Sequence, residues 1–224
     1  MVKALTSEVV KDYGISAGAD VVGVAASKDF GLALDGFRPA DVLVGCRSVV
    51  VLGAAFSSAV LDDVLEYSAS RNVMLTKMTE MAKSVAKRIK ADGYKVKAVS
   101  ASGGRTVVVN GCKELFGHVS LKHAAELAGL GVIGKNYLLT NLQYGNLLWF
   151  SAVLTDAELL PDSKVQFDMC DNCNKCVEAC PVGALDSRGS FGKKGCSKFF
   201  VIEDRRFKIK CFLCRTVCPY GLGK

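Results

Sequence analysis

The chain has 224 residues, half of them apolar, with 29 Lys and Arg against 22 Asp and Glu and a formal net charge of +7. That balance excludes a disordered or low-complexity chain and supports one buried core with a small appended module. The apolar runs, such as Val49–Phe56, fall far short of the ~20 residues of a membrane span; with nothing like a signal peptide at the start, the expectation is a cytoplasmic protein with reduced thiols and no membrane partner.

In chain order, the apolar spacing predicts a helix over Ser7–Ser16, with Val9, Val10 and Tyr13 facing inward and Gly18 near its end. Asp20–Ala25 and Ser48–Ala55 read as strands buried on both faces, joined by a loop that holds Pro39 and Cys46. Cys46 reads as a small buried apolar residue. The clearest helix is Asn72–Asp92, where Met74, Met78, Met81, Ala82, Val85 and Ile89 recur at three- and four-residue steps before Gly93. A methionine stripe at that spacing is core rather than a cofactor box. Tyr94–Val99 and Thr106–Val109 read as strands, with a bend at Gly103, Gly104 and Arg105. A short helix capped by Ser120 runs to Ala128 and is broken by Gly129.

The next stretch, Gly129-Leu130-Gly131-Val132-Ile133-Gly134-Lys135-Asn136, fits G-x-G-x-x-G. The dinucleotide fingerprint follows a strand and opens a helix, whereas these glycines follow a helix and precede a strand, so a Rossmann site is rejected. Three glycines in six residues still mean a backbone that turns sharply and approaches another group closely, with Lys135 as a fixed positive charge beside it. Tyr137–Thr140 and Leu147–Thr155 read as a hairpin around Tyr144-Gly145-Asn146.

The chemistry sits in the last quarter, which holds eight of the ten cysteines. Cys170-x2-Cys173-x2-Cys176-x3-Cys180-Pro181 is the bacterial ferredoxin spacing, in which three thiolates hold one cluster and the fourth ligates the other. Cys211-x2-Cys214-x3-Cys218-Pro219 repeats the end of that run, Lys208 stands at its missing first cysteine, and Cys196 supplies the thiolate from upstream. The ligand count closes with Cys170, Cys173, Cys176 and Cys218 on one 4Fe-4S cluster and Cys180, Cys196, Cys211 and Cys214 on the other. Zinc sites also use Cys-x2-Cys knuckles, but they require neither the third cysteine nor the Cys-Pro ending. From Pro161 onward twelve Lys and Arg face seven Asp and Glu. Clusters of about −2 each when oxidised account for much of that excess. No interleaved aromatic or glycine-rich RNA motif accompanies the charge, which leaves RNA open as a partner but weakly supported.

With these residues in hand, the chain resembles the epoxyqueuosine reductase family and, more distantly, the corrinoid-dependent reductive dehalogenases. Ala128–Asn136 is similar to that family's A-G-L-G-W-I-G-K-N, Leu154-Thr155-Asp156 to its L-T-D, and Cys196 followed seven residues later by Glu203 to its C-I-S-Y-L-T-I-E. The resemblance implies an α/β (α+β) fold: a nitroreductase-like domain over residues 1–160 that cradles cobalamin, then a ferredoxin-like module over 161–224 with two 4Fe-4S clusters. It further implies that Gly129, Gly131, Gly134, Lys135 and Asn136 bind the cofactor. A low-potential donor such as ferredoxin or flavodoxin would supply the electrons.

The resemblance fails at the family's D-T-x-P-x-x-E-R segment, whose aspartate is the proposed proton donor. Counted back without gaps, Lys122 falls at the arginine, Leu121 at the glutamate and Leu115 at the aspartate, and the proline is missing. Glu114, one residue away, and Lys122 are the candidate catalytic replacements; the competing reading of Glu114 is a solvated carboxylate in a polar turn. His118, Ser120, Lys122 and His123 form a polar group unlike the family segment. The expectation is a protein without the long C-terminal extension of many epoxyqueuosine reductases. The expected function is reductive chemistry fed by single electrons, on a substrate other than epoxyqueuosine. A non-catalytic electron carrier and a flavin-dependent reductase are the alternatives.

Overall fold

The computed structural model describes residues 5–101, 104–109, 112–188, 190–203 and 206–221. Its elements are α1 (Ser7–Ser16), β1 (Val21–Ala26), α2 (Pro39–Val42), β2 (Ser48–Ala55), α3 (Val64–Ala91), β3 (Val96–Val99), β4 (Arg105–Val109), β5 (Cys112–Phe116) and α4 (Leu121–Leu127). They continue as β6 (Val132–Ile133), β7 (Leu139–Thr140), β8 (Leu148–Thr155), α5 (Lys175–Glu178), α6 (Lys193–Cys196), β9 (Phe200–Glu203), β10 (Arg206–Ile209) and α7 (Leu213–Thr216). The fold is mixed α/β. The chain divides into two compact units, one of Met1–Ala54, Leu75–Leu130 and Trp149–Val165, the other of Ala55–Met74, Gly131–Leu148 and Gln166–Lys224.

The first unit is organised by a four-stranded sheet in the order β1-β2-β8-β3. The β1–β2 and β3–β8 pairs are antiparallel, with Val24 opposite Val50 and Val99 opposite Ala152. Strand β2 is buried at every position from Ser48 to Ala54, which explains its continuous apolar run: both faces are covered. Helix α1 packs through Ser7, Val10 and Gly14. This differs from the expected face, because the 7-10-14 spacing turns Tyr13 to the side, where its hydroxyl donates to Asp92 at 2.9 Å under the Arg88 guanidinium. A Cβ on Gly14 would press on the Val22 and Leu52 side chains, so glycine sets how closely this helix lies on the sheet. The carboxylate of Asp162 accepts from Lys11 Nζ at 2.5 Å and from the Val24 amide at 2.8 Å, tying the end of the unit to α1 and β1.

Helix α3 starts eight residues before the expected Asn72. The Asp63 carboxylate accepts from the Leu65 and Glu66 amides at 2.7 and 2.8 Å and so opens the helix as an N-cap. Met74, Met78, Met81, Ala82, Val85 and Ile89 are all buried, which makes the methionine stripe core. Strands β4 and β5 form a separate antiparallel ribbon, Arg105 opposite Phe116 and Val107 opposite Glu114. Gly103 of the expected bend lies outside the described residues.

The hairpin expected between Tyr137–Thr140 and Leu147–Thr155 does not form. In the second unit β7 pairs with β6, Val132 opposite Thr140 and Ile133 opposite Leu139. The reason lies in the glycine run: any side chain on Gly131 would collide with the Thr140 carbonyl oxygen, so glycine lets the two backbones meet. Asn141 then turns the chain, its side chain accepting from the Gln143 and Tyr144 amides at 2.9 and 3.1 Å. Between β6 and β7 the loop closes through Tyr137 N–H to the Gly134 carbonyl at 2.8 Å. Tyr137 takes the left-handed conformation (φ 61°) and stacks on Phe191 with ring centroids 5.0 Å apart.

Candidate metal centre

Every element that presents a cysteine in the second unit is short, because each serves to turn a thiol inward rather than to build a core. Cys170 and Cys173 lie on the loop before α5, α5 carries Cys176, and Cys180 follows it. The second run repeats this design with Cys211 before α7, Cys214 on it and Cys218 after it. Cys196 ends α6. Lys208, at the place of the missing cysteine, sits in β10 opposite Val201, so a ladder position replaces a ligand position.

One cleft is walled by Cys170, Cys173, Cys176 and Cys218, together with Gly134, Asn136, Thr140, Met169, Lys175 and Pro219. The last cysteine of the second run therefore faces the first three of the first run. Burial pushes the Cys176 thiol up, and nearby Cys170, Cys218 and Cys173 push it further. The other four associate likewise: Cys196 is raised by burial and then by Cys211 and Cys180. Cys214 is pushed up to about 12, again by burial first, against the opposing pull of Arg215. Iron bound here would take these groups as thiolates, since a coordinating thiol is deprotonated outright.

Among the described residues no three His, Cys, Asp or Glu side chains are placed to share a single metal ion. A cubane asks for something different, one thiolate per iron around a common wall. The walls suit it. The Lys135 amide donates to Cys170 Sγ at 3.5 Å and the Ala184 amide to Cys180 Sγ at 3.2 Å. A Cβ on Gly134 would come within 3.4 Å of Cys170 Sγ and 3.1 Å of Met169 Cε. Thr140 also lines this cleft, and its buried hydroxyl has no hydrogen-bond partner among the described residues.

The residues expected to cradle a cofactor separate. Lys135 Nζ donates at 3.2 Å to the carbonyls of Asp171 and Cys173 and to Asn174 Oδ1, gripping the first cysteine loop. Asn136, 5% exposed, donates from Nδ2 to the Cys214 carbonyl at 3.3 Å. Two adjacent residues thus hold the two cysteine runs. Gly134 lines the cleft, and Gly131 meets Thr140. Gly129 belongs to the first unit, in the left-handed region (φ 71°) with its Cα against the Ser163 carbonyl. Of the catalytic candidates, Glu114 is mid-strand in β5 rather than in a turn, and its side chain lies outside the described residues. Lys122 is on α4, and beside it the Ser120 hydroxyl sits 2.6 Å from His123 Nδ1 instead of capping the helix backbone. Burial, then the Lys122 charge, lowers the His123 pKa below 6.5.

Three contributors had little signal in the sequence. Arg215, between two cysteines, is buried and donates from Nη1 to the Asn146 carbonyl and, at 3.1 Å, to its side-chain oxygen. Its guanidinium carbon lies 5.2 Å from the centre of the Phe56 ring. Asn146 in return donates to the Arg215 carbonyl at 3.3 Å. Only a spacing relative to Cys214 distinguishes Arg215, and Asn146 looked like a turn residue. Thr140 looked like an ordinary β-branched strand residue.

The 4Fe-4S dicluster domain family matches residues 169–222. The epoxyqueuosine reductase of Bacillus subtilis (strain 168) is 35% identical over 119 residues, 48% of this chain and 31% of that protein. The solved epoxyqueuosine reductase from Streptococcus thermophilus superposes with a TM-score of 0.65 at 18% identity, over 95% of this chain and 65% of that one. A reductive dehalogenase, whose structure is described as suggesting a mechanism for B12-dependent dehalogenation, superposes at 0.72 with 21% identity, over 95% of this chain and 31% of that one. In each case the match takes in less than two thirds of the relative. The chain is related to the epoxyqueuosine reductases, shares its fold with them and with the dehalogenase, and carries a C-terminal 4Fe-4S dicluster domain.

Proposed function

We propose that this chain is an iron-sulfur oxidoreductase in which two 4Fe-4S clusters pass single electrons to a corrinoid-type site for reductive chemistry on a substrate other than epoxyqueuosine. The observation that carries the two-cluster part is Cys218 in the cleft of Cys170, Cys173 and Cys176. Such crossing over is what the repeated Cys-Pro spacing requires of a two-cluster module. When bound, the clusters supply one-electron transfer at low potential, and a corrinoid would supply a nucleophile or radical partner for removing a hydroxyl or halide.

The chain's own residues have distinct tasks in this scheme. Lys135 and Asn136 fix the two cysteine loops, and the Lys135 and Ala184 amides offer hydrogen bonds to thiolate sulfur, which favour the more negative, reduced state. Buried Arg215 places a positive charge beside Cys214. The electrons come from a low-potential donor such as ferredoxin or flavodoxin, and RNA remains a candidate substrate class through the epoxyqueuosine reductase relationship. Anaerobic analysis of reconstituted protein should find about eight irons and about eight labile sulfides per chain. Stoichiometric zinc without labile sulfide from iron-replete, anaerobic preparations would overturn this reading.

A second reading, an electron-transfer protein without catalysis of its own, is favoured by one observation. Gly134, Lys135 and Asn136, the residues a corrinoid cradle would draw on, are turned toward the cysteine loops. The absorption spectrum of the reconstituted protein separates the two, since clusters alone and clusters with cobalamin absorb differently.

A further inference from the structure

Thr140 is 2% exposed, its side-chain oxygen is buried, and it has no hydrogen-bond partner among the described residues. A buried hydroxyl without a partner is unfavourable unless a ligand satisfies it. In the same unit the buried Ser68 hydroxyl is satisfied on both sides: its Oγ donates to the Ile209 carbonyl at 3.2 Å and accepts from the Ile209 amide at 3.0 Å. Thr140 is held in place by its β7 pairing with Val132 and by the close approach of Gly131. It lines the cleft walled by Cys170, Cys173, Cys176 and Cys218. The ligand that fills that cleft is the natural acceptor for its proton.

We propose that the Thr140 hydroxyl donates a hydrogen bond to a sulfur of the cluster held by Cys170, Cys173, Cys176 and Cys218, and thereby raises that cluster's reduction potential. This rests on the two-cluster reading above. A cluster that accepts one electron from an external reductant gains one negative charge, and its sulfurs become better acceptors. A donor aimed at them therefore stabilises the reduced state more than the oxidised one. The proton stays on Thr140 throughout. The Lys135 amide already serves Cys170 Sγ from the same loop, so Thr140 adds a second donor from β7. Thr140 is a positioning and tuning residue under this assignment, with no part in bond making.

The test is a redox titration, followed by electron paramagnetic resonance, of the anaerobically loaded full chain as wild type, T140V and T140S. Valine keeps the shape and removes the hydroxyl; serine keeps the hydroxyl. In T140V one of the two cluster couples should move to more negative potential by about tenfold in its equilibrium constant, or about 59 mV for one electron. The other couple should not move, and T140S should retain the wild-type value. Two couples in T140V that both match wild type would overturn the proposal. If T140V loads only one cluster, T140S decides: loading both at wild-type potentials supports the hydroxyl contact, whereas a parallel loss in T140S assigns Thr140 to packing and ends the idea. Wild-type protein without labile sulfide would sink the cluster reading itself, a result distinct from all of these.

Discussion

Cys180 and Cys218 are the residues that distinguish two interlocked clusters from two independent sites, since each follows one run and serves the other. If Cys218 belongs with Cys170, Cys173 and Cys176, as the shared cleft indicates, then C218S should damage the cluster of the first run. C180S should damage the cluster whose other ligands are Cys196, Cys211 and Cys214. In each variant the iron and sulfide content should fall toward about half, and the surviving resonance should differ between the two. Identical losses in both variants, or loss in each variant of the cluster held by the mutated cysteine's own run, would contradict the crossed pairing. The residue pattern was legible because ligand spacing is local. What was not legible is how the loops are held: the family resemblance implies a cofactor role for Lys135 and Asn136, and nothing in the spacing shows that their side chains donate to the carbonyls of Asp171, Cys173 and Cys214.

Elements whose periodicity runs over many residues were readable, and elements fixed by distant partners were not. Helix α1 and strand β2 fall where apolar spacing puts them. Helix α3 was shortened because its opening depends on Asp63, a cap outside the methionine stripe. The assignment of β7 to a hairpin with β8 failed for a longer-range reason. Gly131 permits backbone contact that no side chain would, so β6 takes the partner that turn chemistry alone gives to β8. The same logic predicts where stability resides. Leu52 on β2 and Ile89 on α3 are fully buried, so L52A or I89A should each cost about 2–5 kcal/mol in reversible denaturation of the first unit's core. Replacing Leu142, which is exposed, should change stability by no more than about 0.5 kcal/mol. A small effect at Leu52 or Ile89 would mean that the sheet is not the stabilising core.

Across the whole molecule, some features of the relatives are kept and others are rewritten. The dicluster domain and the fold of the epoxyqueuosine reductases and dehalogenase are present, whereas the segment aligned with the family's proton donor offers Glu114 in a strand and Lys122 beside a Ser120–His123 pair. A positioned acid contributes about a hundred- to ten-thousandfold to such a step. With the aspartate absent, reduction of epoxyqueuosine-containing RNA by a low-potential donor should be slower than in a family member by at least about a hundredfold, even when both clusters are loaded. Cobalamin titrated into the same protein should bind and shift its absorption if the corrinoid site is retained. No cobalamin binding under conditions that load an epoxyqueuosine reductase would favour the electron carrier. Epoxyqueuosine reduction at the rate of a family member would overturn the substrate claim. E114Q and K122A would then identify the inherited donor, because only loss of the acting acid should flatten the alkaline limb of the pH–rate profile, where a general acid loses its proton, while leaving the cluster potentials unchanged.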